Sequence, residues 1–170
     1  MDFITNPHNP PNQFYQNQGY SFDIEERKTL IIDQDPAGQT PQVVNLFEPL
    51  IIDKLSDVYL ESFTTHGARK NNADVSGSYS AFVVDIKEFN INSNSNTEHL
   101  YNKIVIPNEE ETEPHAVTVH KSKKLNYICS INPTKLSRLN ITITGLSESV
   151  PMFHSEYGRY ILELLFISRK

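Results

Sequence analysis

From Tyr20 onward, apolar residues return at every second position, in short runs. Tyr20, Phe22 and Ile24 alternate with Ser21, Asp23 and Glu25, and the run Thr29-Leu-Ile-Ile32 follows at once. In an extended chain, period two places successive side chains on opposite faces, so it specifies half-buried strands and works against amphipathic helices. Further strand-like runs fall at residues 47–52, 58–65, 81–91, 103–106, 116–120, 125–131, 139–144 and 160–168. Clusters of Asn, Asp, Gly, Pro and Ser separate them at residues 35–38, 71–77, 92–97, 107–110, 132–134 and 145–147. Such residues bond their own backbone or adopt turn dihedrals at little cost. Only residues 53–57, 98–102 and 134–139 suit a single helical turn, too little for a helical layer. The pattern implies an all-β fold, an antiparallel single jelly-roll sandwich of about eight to nine strands.

A chain of 170 residues is one domain's worth. Residues 20–170 carry the strands and are assigned to the jelly-roll domain. Residues 1–19 show neither period; their prolines Pro7, Pro10 and Pro11 fix φ and withhold backbone donors. They are expected to form an extended N-terminal arm, with Phe14 and Tyr15 as apolar anchors against a neighbour. Only 38% of residues are apolar and Trp is absent, so the core is thin. Against that background residues 160–167 stand out, because Tyr160-Ile-Leu-Glu-Leu-Leu-Phe-Ile167 is apolar at nearly every position. Both faces of that strand need cover, and in a two-layer sandwich the outer cover comes from loops, the arm or a neighbouring subunit.

The net charge is −6, the reverse of what phosphate binding favours, and no nucleic-acid partner is expected. Residues 1–19 have no basic start and no apolar stretch, so no secretory signal is expected there. The longest apolar runs fall far short of the roughly 20 residues that span a bilayer, so no stable membrane insertion is expected. Asn140-Ile-Thr142 matches a glycosylation acceptor but lies inside an alternating run.

Motifs for catalysis are not found: no Gly-rich phosphate loop, no G-x-S-x-G, no H-E-x-x-H and no acidic calcium loop. His115 and His120, five apart, fall on opposite faces of a regular strand, which opposes joint metal binding. Cys129 sits in the strand-like run Asn126-Tyr-Ile-Cys-Ser-Ile131, where simple alternation puts it on one face with Tyr127 and Ile131. It reads as a packed thiol, with no cation beside it to make a nucleophile. No cofactor, no metal and no catalytic residue is expected. The acidic run Glu109-Glu-Glu-Thr-Glu113 and the basic run Lys121-Ser-Lys-Lys124 read as solvated charge that tunes association.

Several strings carry a resemblance. They are Leu55-Ser-Asp-Val-Tyr-Leu-Glu-Ser-Phe-Thr-Thr65, Phe82-Val-Val-Asp-Ile-Lys-Glu-Phe-Asn-Ile-Asn-Ser-Asn-Ser-Asn96, Asn102-Lys-Ile-Val-Ile-Pro-Asn-Glu109, His120-Lys-Ser-Lys-Lys-Leu-Asn-Tyr-Ile-Cys-Ser-Ile-Asn-Pro-Thr134 and Phe166-Ile-Ser-Arg-Lys170. Across residues 50–170 the chain resembles the single jelly-roll penton or minor capsid proteins of large icosahedral eukaryotic DNA viruses, the nucleocytoplasmic large DNA viruses. That resemblance implies a structural virion protein with no catalytic residues. It would be made in the host cytoplasm, assemble as a homopentamer at the five-fold vertices, and touch neighbouring major and minor capsid proteins. Another minor position in the same shell, or a lectin-like receptor-binding module built on residues 65–80 and 92–102, is the alternative. The candidate inter-subunit contacts are Phe14 and Tyr15 in the arm and Tyr59 and Phe63 along a strand, with Phe82 and Phe89 as further strand aromatics.

Overall fold

The computed structural model describes residues 26–35, 41–69, 79–108, 117–147, 152–154 and 156–170, with the side chains of 117–125 left aside. Eight strands follow in order: β1 (Arg27–Gln34), β2 (Gln42–Ile52), β3 (Ser56–His66), β4 (Ala81–Ile86), β5 (Ile104–Pro107), β6 (Val117–Ile131), β7 (Thr134–Thr144) and β8 (Arg159–Ser168). They form two four-stranded sheets, ordered β1-β8-β3-β6 and β2-β7-β4-β5, and every recorded pairing is antiparallel. First pairs with last, second with seventh, third with sixth and fourth with fifth. This is a ribbon folded at its middle and wound into two layers, a jelly roll. Residues 1–19, with Phe14 and Tyr15, lie outside the described residues.

The core lies between the sheets. Leu30 and Ile32 from β1, Val58, Leu60 and Phe63 from β3, and Tyr160, Leu162, Leu164 and Phe166 from β8 meet Phe82, Val84 and Ile86 of β4 and Leu139, Ile141 and Ile143 of β7. Phe63 packs edge-on to Phe82 with ring centroids 5.2 Å apart, and Phe153 lies 5.6 Å from Phe82 and 6.0 Å from Tyr160. Offset and edge-on rings at these separations add a little beyond area burial. The two-sided apolar strand is β8, which runs between β1 and β3. Its inner residues are buried, and on the outer face Leu165, in register with Thr29 and Tyr59, is buried too while Ile161 is exposed.

Four local expectations are corrected. Residues 134–139 belong to β7 and not to a helical turn: Asn132 and Pro133 alone link β6 to β7, and Thr134 is already paired with Ile52. Residues 53–57 hold no helical turn either, since Ser56 opens β3. The runs 116–120 and 125–131 are one strand, β6, whose register against β3 shifts between Leu60 and Ser62. Within β6 the register also shifts opposite Val58 and Tyr59, so Ile128 and Cys129 are both buried while Tyr127 and Ser130 lie on the outer side, joined by a 2.9 Å hydrogen bond. Simple alternation had set Tyr127 beside Cys129, and the extra residue reverses that. The turn at 98–102 is present as a short 3₁₀ segment, Glu98–Leu100.

Candidate functional site

Among the described residues, each aromatic candidate has a definite place. Tyr59 is half-buried on the outer face of the β1-β8-β3-β6 sheet, edge-on to Tyr127 at 5.9 Å. Phe63 is not a contact residue, because it is wholly buried between the sheets of its own domain. The cause is Glu61. Leu60 pairs with Leu164 and Ser62 with Glu163, so Glu61 is an extra residue that resets the alternation, and Tyr59 and Phe63 leave β3 on opposite faces. Phe82 and Phe89 are core residues.

The outer face around Tyr59 ends in a polar clasp. Arg169 donates from Nε to Asp57 Oδ1 at 2.9 Å and from Nη2 to Asp57 Oδ1 at 2.6 Å and Ser130 Oγ at 2.7 Å. Ser130 in turn donates to Asp57 at 2.7 Å. Hydrogen bonds from Arg169 hold the Asp57 carboxyl below its ordinary value. At the far end of the same sheet Arg159 grips Asp33 through both carboxylate oxygens and lowers it likewise. Asp33, Asp35, His66, Tyr157, Gly158 and Arg159 line an open cleft of about 390 Å³ there. Tyr157 stacks on His154 at 4.6 Å and meets His66 edge-on. It sits so close to Gly67, whose φ is +61°, that a Cβ on Gly67 would come within 2.6 Å of its ring.

The second sheet presents a different surface. Between Asn45 and Leu50 the edge strand β2 takes five steps while its partner β7 takes two, from Arg138 to Leu136. The surplus forms a bulge in which Leu46 tucks toward the core and Phe47 stands at full exposure, 101% of its reference area. Glu48 and Pro49 complete it, both exposed. Val43 and Ile51, also exposed, flank the bulge along β2. The alternating pattern made 47–52 a plain strand and missed this feature, although Pro49 was its signal: a proline inside a strand belongs to an edge or a bulge.

A third feature is an open cleft of about 470 Å³ where β4 ends and β6 turns into β7, lined by Phe89, Ile131, Pro133 and Leu136, by the polar Glu88, Asn90 and Asn132, and by Cys129 among others. Burial, then the nearby Asp57 charge, push the Cys129 thiol up to about 11, which keeps it protonated and unreactive at neutral pH. Among the described residues, no three of His, Cys, Asp and Glu come together as metal ligands, and no helix is long and apolar enough to cross a membrane. His115 and the side chain of His120 lie outside the described residues. No protein-family model, no curated protein and no solved structure matches the chain. The surfaces offer an exposed aromatic on an edge strand, an outer sheet face with an ion pair at either end, and a cleft whose lining mixes apolar and polar residues.

Proposed function

We propose that this chain is a structural subunit of an icosahedral virus shell, the penton at the five-fold vertices, working through protein–protein contacts. The observation that carries the reading is Phe47. A fully exposed phenyl ring on a sheet edge gains nothing for the isolated domain, and edges are ordinarily guarded by charge or proline. Here Glu48 and Pro49 guard the edge against strand pairing while the ring beside them is left for a partner to bury. The jelly-roll ribbon and the strings resembling penton proteins support the same reading. In a five-fold ring one flank of each subunit meets a different flank of the next, a closed heterologous contact. Another minor position in the same shell is the variant of this reading that keeps the interfaces and changes the address. On either reading the protein is made in host cytoplasm and ends in the virion.

Native mass spectrometry of the full chain, over a concentration series, tests it. The expected species is a homopentamer, and a vertex position in a particle map agrees with it. A chain that stays monomeric at millimolar concentration and is missing from virions sinks the proposal.

A further inference from the structure

We propose that Asn94 is a self-modifying site: the backbone nitrogen of Ser95 attacks its side-chain amide and converts the residue to aspartate and isoaspartate without an enzyme. Asn92-Ser93 and Asn94-Ser95 are the chain's two Asn-Ser pairs, where a small following side chain leaves that nitrogen unhindered, and no Asn-Gly pair occurs. The fold treats the two pairs differently. Asn92 N donates to Ile128 O at 3.0 Å, Ser93 O accepts from Asn102 N at 3.2 Å, and Ser93 Oγ donates to Lys103 O at 2.8 Å, so the first pair is pinned on both sides. Asn94 is exposed, and among the described residues no backbone-to-backbone bond holds Asn94 or Ser95. Instead Ser95 N donates to Asn94 Oδ1 at 3.0 Å. That contact folds the side chain back along its own main chain and gathers the atoms of a five-membered ring, so closure is intramolecular and largely pre-oriented. Hydroxide takes the Ser95 N–H proton, the nitrogen bonds Asn94 Cγ, and the Cγ–Nδ2 bond breaks, with Nδ2 leaving as ammonia after protonation by water. Water then opens the resulting succinimide. Cleavage of the new N–Cγ bond gives aspartate; cleavage of the original peptide bond gives isoaspartate, whose main chain runs through Cγ. Either product adds one negative charge to a chain already at −6. The bonds of Ser93 on one side, and of Leu100 N to Thr97 O at 3.2 Å on the other, confine the lengthened backbone to the exposed loop.

Peptide mapping by mass spectrometry, after a time course of the full chain in heavy-oxygen water, tests this. Both pairs lie between Lys87 and Lys103, so one tryptic peptide carries both and is its own standard. In the folded chain, label should enter at Asn94 on the order of 10-fold faster than at Asn92, the rate equivalent of one hydrogen bond that must first open at the pinned pair. The rate at Asn94 should rise with pH, because the attacking nitrogen must lose its proton. In chain unfolded by urea the two pairs, alike in sequence, should react at nearly equal rates. Asn94→Gln, whose closure needs a less favourable six-membered ring, should keep the unfolding midpoint of the wild type and lose the label at that position. Equal rates at Asn92 and Asn94 in the folded chain overturn the proposal. So does a preference for Asn94 that survives unfolding, since sequence and not the fold would then select it.

Discussion

At the scale of single residues, Tyr59 and Phe63 show how four positions in one strand can separate two roles. Phe63 is enclosed by Phe82 and Tyr160, so Phe63→Ala leaves a cavity and should cost about 3–5 kcal/mol of stability, read from urea unfolding. Tyr59 lies on the outer face beside Tyr127, so Tyr59→Ala should cost clearly less and act on association instead. An equal loss for the two would overturn the assignment of faces. The clasp at Asp57 has a pH signature. A carboxyl whose folded value is depressed contributes stability above its ordinary value, 3.8 here, and loses it as pH falls through the depressed one. Wild type should therefore be more stable than Asp57→Asn at neutral pH, and the gap should close on acidification below 3.8. A gap that persists at pH 2 would mean that packing or neutral hydrogen bonding, not the ion pair with Arg169, accounts for the difference.

At the scale of elements, bulges decide which way the surface faces. Glu61 is surplus to the β3–β8 register, so deleting it leaves Phe63 facing inward and should be tolerated. Deleting Thr64, in the regular stretch beyond, drives His66 inward and Thr65 outward and should cost more than about 3 kcal/mol. Circular dichroism and urea titration of the two deletions compare them directly. These insertions also mark how far the strands could be read from the residues alone. Alternation located the strands because half-buried positions must alternate, and it captured the two-sided character of β8, which its central place explains. Sidedness failed wherever a bulge intervened, at Glu61, at Ile128 and across residues 46–49, because a pattern of period two carries no memory of its phase beyond an extra residue. Leu60 and Phe63, apolar and three apart, were the trace of the first. The helical turn expected at 134–139 failed for another reason: these residues pair with β2, and that pairing overrode the local preference. The cleft and the clasp were out of reach, since Phe89 meets Leu136, and Asp57 meets Arg169, only through the winding of the whole ribbon.

At the scale of the molecule, the nested ribbon brings the start of β1 and the end of β8 together: Ser168 N donates to Glu26 O at 3.0 Å, and Glu26 N donates to Ser168 Oγ at 3.1 Å. Ser56 in β3 is in register with Ser168 on one side and with Ile131, a wall of the cleft, on the other. The sandwich is therefore polar in the sense that a magnet is. One pole carries the start of β1 and the end of β8 together with the cleft; the other carries Asp33, His66 and Arg159. A reporter attached after Lys170 is delivered to the cleft's own pole, where its bulk crowds the cleft. Placing the label at the opposite pole keeps that space open, and the choice of attachment point becomes a probe of orientation.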